Sequence, residues 1–239
     1  MTRIWAHAGA TAVFPPNTMA AYRRAIDDGA DGIELDVHLS RDSRLVCHHD
    51  PVVPVPGRAP LVIRDTRYAD LRAAGAEVDT RIPLLEEVFA LVRPTGLTLN
   101  VEVKNGPVVY PGIEEALVRI HHASGMGDRI VYSSFNHFTL LELGRLIPDA
   151  QIAPLYSEGL VDPWVYLRHL GVTAVHPMYL TLHAPGVLAG LASAGIAVRA
   201  WTVNDPAEWR WLFDHDVDAV ITDDPAGALA VRAGAAVRR

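Results

Sequence analysis

A single cysteine, Cys47, stands among 239 residues. No intramolecular disulfide can form, and a reducing compartment suits the chain. Basic runs never exceed two residues, and the 21 lysines and arginines are outnumbered by 28 acids, for a formal charge of -7. That balance argues against a binder of nucleic acid or an anchor on acidic lipid. No apolar stretch reaches the ~20 residues that span a bilayer. The first residues, Met1-Thr2-Arg3-Ile4-Trp5-Ala6-His7, read directly as a strand rather than as a secretion signal. A cytoplasmic protein with no nucleic-acid partner and no stable membrane insertion is expected. Two chemical signatures are missing as well. His7-Ala8-Gly9-Ala10, after the first strand, is not the glycine-rich loop of a doubly wound nucleotide-binding sheet. The histidines form no compact zinc pattern such as His-Glu-x-x-His.

What is present centres on Gly32-Ile33-Glu34-Leu35-Asp36-Val37-His38. Side chains alternate across a strand, so Glu34 and Asp36 share one face while Ile33, Leu35 and Val37 share the other. Two carboxylates about 7 Å apart repel unless something positive lies near them. An exposed edge strand with solvated acids is the plain alternative to a cation site.

The rest of the chain bears on that choice. Asn17 or Thr18 caps a helix running to about Asp28, with Met19, Tyr22 and Ile26 at helical spacing, and Gly29 stops it. After the strand over 32–40, Leu45 to Asp50 returns as an extended piece. From 51 to about 80, Pro51, Pro54, Pro56, Gly57 and Pro60 break regular structure, and one helix is expected near Tyr68–Ala74. A regular alternation follows, with strands at 98–104, 129–135, 151–156, 173–178, 197–203 and 218–222 separated by helices. With the strands near 3–9 and 32–40 this makes eight strand–helix units in one domain, 1–239. That is the count and size of an α/β fold of the closed (β/α)8 TIM-barrel type, here with a short insertion after the second strand.

Barrels of this kind carry their chemistry at the carboxyl ends of the strands. The first strand ends in His7. The third reads Leu99-Asn100-Val101-Glu102-Val103-Lys104, which puts Asn100, Glu102 and Lys104 on one face. Two strands thus place acids opposite their apolar residues, which an edge strand does not predict. Glu34, Asp36 and Glu102 make an oxygen-rich set suited to a hard divalent cation, Mg²⁺ or Ca²⁺. Lys104 meets either a phosphate oxygen or Glu102. His7 and the pair His48-His49 supply imidazoles able to relay protons near neutral pH.

The order His7…Glu34-x-Asp36…His49-Asp50…Glu102-x-Lys104 resembles that of the glycerophosphodiester phosphodiesterases, which are metal-dependent (β/α)8 barrels. Pro16-Asn17-Thr18, His49-Asp50-Pro51, Ile82-Pro83-Leu84-Leu85-Glu86-Glu87-Val88, Ser133-Ser134-Phe135, Trp201-Thr202-Val203-Asn204 and the run from Val217 to Pro225 look like family landmarks in the expected order. The resemblance implies hydrolysis of glycerophosphodiesters to an alcohol and glycerol 3-phosphate. It also implies that Glu34, Asp36 and Glu102 bind the metal and that His7 and His49 form the acid/base pair. By the same resemblance Lys104 touches phosphate, Trp201 walls the pocket or simply packs the barrel, and Asn17 supports the metal shell.

Two positions depart from the family pattern: Ala8 stands where an arginine usually follows the first histidine, and Pro16 where a glutamate precedes Asn17. A lost bidentate arginine forfeits roughly 1.5–3 kcal/mol of phosphate binding. Arg199, on the face shared with Trp201, either compensates by meeting a bound anion or pairs structurally. Phospholipase D-like action on lysophospholipid head groups and a non-catalytic phosphate-binding barrel are the competing functions.

Overall fold

The computed structural model of the chain describes residues 1–75 and 80–236. Residues 76–79, at the end of the expected insertion, and the terminal Arg238-Arg239 pair lie outside them. β1 (Arg3–Ala6) leads through α1 (Met19–Asp27) to β2 (Gly32–Leu39), and β3 (Leu45–Cys47) turns back antiparallel against β2. In the insertion, β4 (Val52–Val53) and β5 (Leu61–Val62) form an antiparallel ribbon that precedes α2 (Tyr68–Ala74). Then come α3 (Leu85–Val92), β6 (Thr98–Val103), α4 (Ile113–Ser124), β7 (Ile130–Ser134), α5 (His137–Leu146) and β8 (Gln151–Tyr156). The remaining units are α6 (Pro163–His169), β9 (Ala174–Pro177), α7 (Val187–Ser193), β10 (Ala197–Ala200), α8 (Pro206–Asp214), β11 (Ala219–Thr222) and α9 (Pro225–Ala236).

The parallel ring runs β1-β2-β6-β7-β8-β9-β10-β11 and closes because β1 pairs with both β2 and β11. The (β/α)8 barrel is therefore present, with the insertion between its second and third ring strands. The ribbon inside that insertion was not anticipated, because strands of two residues carry no periodicity and their surroundings read as breakers.

Alternation along the strands builds two layers. Ile33, Leu35, Val37, Leu99, Val101 and Val103 face outward into a core shared with the helices. Inside the ring, Trp5 is fully buried with Val131, Ala153, Ala174, Ala219 and Ile221. The indole fills much of the lumen, and three of these neighbours are alanines. A Cβ on Gly32, opposite Trp5 in register, would lie 2.7 Å from the ring.

Local chemistry sets the helix starts. Thr18 caps α1 by accepting the Ala21 N–H, and Asp205 caps α8 just ahead of Pro206. The Glu87 side chain reaches back to accept the Leu84 N–H at the start of α3. Among the described residues, no helix is long and apolar enough to cross a membrane.

Candidate active site

β2 and β6 are neighbours in a register that sets Glu34 beside Asn100 and Asp36 beside Glu102. All four point into the ring, because their odd-numbered neighbours occupy the outer core. One oxygen from each of Glu34, Asp36 and Glu102 lies within 4.8 Å of the others.

Each acid is held separately. The Ala8 N–H donates to Glu34 Oε2 at 2.9 Å, from a backbone with φ of 50°. Asn17 Nδ2 donates to Asp36 Oδ2 at 2.7 Å, while the Asp36 N–H donates back to Asn17 Oδ1 at 3.1 Å. Lys104 Nζ donates to Glu102 Oε1 at 2.9 Å and lies 3.3 Å from Asp36 Oδ1. The lysine thus takes the internal partner that strand spacing offered it.

The cluster is still electrically strained. Burial first, and Asp36 second, push Glu34 up to about 8, and His7 offsets part of the rise. Burial and Asp36 likewise raise Glu102, against the pull of Lys104. Even with Lys104 and the His7 imidazolium beside them, three closely set carboxylates leave Glu34 and Glu102 raised, and the cluster has room for further positive charge.

The donor set fits a hard cation. Glu34 Oε1 and Asn100 Oδ1 are buried with no hydrogen-bond partner. Both residues line a cavity of about 20 Å³ together with His7, Glu102 and His176. A set of carboxylate oxygens with no thiolate among them could hold a divalent cation.

Two imidazoles flank the acids, each oriented by a carboxylate. His7 follows β1, and its Nδ1 donates to Asp223 Oδ1 at 2.8 Å. Asp223 also accepts from Thr11 Oγ1 at 2.7 Å and Asn204 Nδ2 at 2.6 Å. Burial opposes the imidazolium of His7, but the Asp223 hydrogen bond and the charge of Glu34 prevail and raise it to about 9. Asp223 itself is lowered to about 2, its hydrogen bonds outweighing burial. His49 repeats the arrangement, with Nδ1 2.8 Å from Asp50 Oδ1. Its backbone carbonyl accepts from His38 Nε2 at 3.1 Å, and burial lowers His38 to about 4. A neutral His38 therefore pins the loop that carries His49.

The closing wall is aromatic. Trp201 Nε1 donates to the His176 carbonyl at 2.7 Å, and its ring meets Phe135 edge-on at 5.5 Å.

A family model described as the glycerophosphoryl diester phosphodiesterase family matches residues 7–227. The chain belongs to that family.

Among its relatives, a glycerophosphodiester phosphodiesterase of Caldanaerobacter subterraneus is 35% identical over 94% of this chain and 95% of the relative. One from Bacillus altitudinis is 34% identical over 97% of this chain and 98% of the relative. An Oleispira antarctica phosphodiesterase, solved in complex with the product sn-glycerol-3-phosphate, superposes with a TM-score of 0.81 at 26% identity, covering 98% of this chain and 97% of that one.

His7, His49, Glu34, Asp36, Glu102 and Lys104 are brought together at one mouth of the barrel, with Asn17 and Trp201 beside them. Arg199 does not join them. Its Nε donates to Asp218 Oδ2 at 2.7 Å, and its guanidinium lies 5.0 Å from the centre of the Trp5 ring, at the amino end of the barrel. Of the two roles open to Arg199, the structural pairing is the one present: its side chain turns to the end away from Ala8 and the acids, so it does not compensate for the missing arginine there.

Sequence reasoning passed over the orienting roles of Asp223, Asp50, Asn204 and His38. Asp223 and Asp50 lay inside recognised landmarks, so the signal was in view without a role. The partnership of Asp223 with His7 spans 216 positions and appears only once the barrel closes.

Proposed function

We propose that this chain, as a single barrel domain over 1–239, hydrolyses glycerophosphodiesters to an alcohol and glycerol 3-phosphate. The observation that carries the reading is the buried Glu34–Asp36–Glu102 cluster, with unpartnered oxygen at Glu34, set beneath two carboxylate-oriented imidazoles.

Glu34, Asp36 and Glu102 would hold a divalent cation, Mg²⁺ or Ca²⁺. When bound it supplies positive charge for phosphate oxygens and for charge developing on them. Asp223 and Asp50 fix their imidazoles through Nδ1, leaving Nε2 of each for the substrate. One imidazole takes the proton of the attacking oxygen as the new P–O bond forms. The other gives a proton to the departing alcohol oxygen as the old P–O bond breaks. Lys104 holds Glu102 and Asp36 in place and adds positive charge for phosphate, a role enlarged by Ala8. Trp201 and Phe135 shield the reacting groups from water.

Phospholipase D-like action on lysophospholipids is the second reading. It is favoured by a cavity of about 350 Å³ between His49 and Phe135, lined also by Val103, Pro107 and Val108, which gives an apolar substituent a place to lie. The deciding experiment is product analysis with glycerophosphocholine, glycerophosphoglycerol and lysophosphatidylcholine, with and without chelator. Glycerol 3-phosphate from the first two, lost on chelation and restored by Mg²⁺ or Ca²⁺, is expected. Turnover of lysophosphatidylcholine alone selects the second reading. Binding of glycerol 3-phosphate with no turnover of any substrate makes the chain a non-catalytic barrel.

A further inference from the structure

Tyr22 sits on the buried face of α1, where its spacing with Met19 and Ile26 marks it as core, and it is fully buried. A core position asks only for apolar volume, which phenylalanine supplies equally well. Its hydroxyl nevertheless reaches inward and donates to Asn17 Oδ1 at 2.9 Å. That oxygen also receives the Asp36 N–H, so two donors converge on it and fix which way the amide faces. With its oxygen committed, Asn17 must present Nδ2 to Asp36 Oδ2, at 2.7 Å. Asn17 has little freedom to adjust, being buried with φ of 57° in the left-handed region. Asp36 Oδ1 lies 3.3 Å from Lys104 Nζ, so both carboxylate oxygens have a defined partner.

We propose that the Tyr22 hydroxyl is a positioning group for the cation site, holding the Asn17 amide so that Asp36 is presented in a single orientation. The inference rests on reading Glu34, Asp36 and Glu102 as that site, and it adds a residue that touches neither cation nor substrate. The path is short and fully hydrogen-bonded: Tyr22 to Asn17 to Asp36. Partners of this outer kind typically govern metal affinity by roughly 10- to 100-fold.

The test is calorimetric titration of Mg²⁺, and separately Ca²⁺, into the full chain and into Tyr22→Phe, a change that deletes one oxygen and keeps the ring. Thermal melting of both proteins in chelator runs alongside. The expected result is a cation Kd about tenfold weaker in the variant and a smaller rise in melting temperature on adding cation. The ring dichroism should be native, and kcat at saturating cation should be restored. A purely structural hydroxyl would lower melting in chelator and leave Kd where it was, and that result overturns the proposal. Asn17→Ala provides the second variant: if the path is right, combining it with Tyr22→Phe weakens cation binding no further than Asn17→Ala alone. Additive losses overturn the proposal. Failure of the wild-type chain to bind either cation removes the site itself, and the proposal with it.

Discussion

The two ends of the barrel treat buried charge in opposite ways. At the amino end, Asp218 accepts from Arg3 at both oxygens, at 2.7 and 2.6 Å, and from Arg199 at 2.7 Å. Both guanidiniums also lie over the face of Trp5, at 5.5 and 5.0 Å. Despite burial, these hydrogen bonds hold the Asp218 carboxyl below its ordinary value. At the carboxyl end, three acids face Lys104 and His7, and burial with mutual repulsion still drives Glu34 and Glu102 the other way. One end is complete in itself; the other is built to receive charge. The lesson is that buried charge alone does not mark a site: incomplete compensation does, and here it coincides with the end where barrels carry their chemistry.

The largest effect expected belongs to the imidazoles. His7→Ala and His49→Ala should each lower kcat/KM by about 10²–10⁴, the usual worth of a general acid or base. Steady-state kinetics on the preferred substrate of the panel checks this. A tenfold loss or less in either variant would mean that its imidazole moves no proton.

Next comes Arg199→Met, which strikes the completed end. It strips a half-buried carboxylate of one of its two arginines and should destabilise the fold by roughly 1.5–3 kcal/mol, the worth of a charged hydrogen bond, with KM for a phosphodiester unchanged. Denaturant unfolding and KM together decide: a raised KM with an unmoved unfolding midpoint would return Arg199 to the phosphate.

A smaller effect is expected from pH, and its sign differs between the ends. In chelator, Glu34 is pushed up to about 8 by burial and Asp36, against roughly 4.3 in an unfolded chain. The folded state then binds the extra proton between those values, so stability falls as pH rises toward 8. Asp218 runs the other way, because its folded value lies below the unfolded one. Its contribution is present above about pH 3.9 and is lost as pH falls through the folded value. The unfolding midpoint should therefore decline on both sides of a mildly acidic optimum, and added cation should lift only the basic side. A profile flat from pH 5 to 8 in chelator would contradict this.

Much of this was legible in the residues. The period of two in Gly32–His38 and Leu99–Lys104 separated acids from core because each strand has an apolar outer face to bury. The eight-unit rhythm was equally plain, since every helix between strands had room for an amphipathic pattern. What alternation cannot show is the end of the barrel to which a long side chain turns, which is why Arg199 stays open in the sequence between an anion contact and a structural ion pair. Nor does it reveal partners joined by closure, such as His7 with Asp223, or a hydroxyl carried by a side chain that reads as core, as in Tyr22. The β4–β5 ribbon was hidden by its own prolines and glycines.

The comparison between the ends is tested most directly by one chemical change made twice, Glu34→Gln and Asp218→Asn, with unfolding free energy measured at pH 8 in chelator and again with Mg²⁺. Asp218→Asn should lose about 3–5 kcal/mol, because Arg199 is left buried without its anion, and should keep the gain from Mg²⁺. Glu34→Gln should lose nothing or gain in chelator, because repulsion is relieved, and should forfeit the gain from Mg²⁺. Equal losses in both variants, with Mg²⁺ stabilising both alike, would show that the two ends do not differ as described.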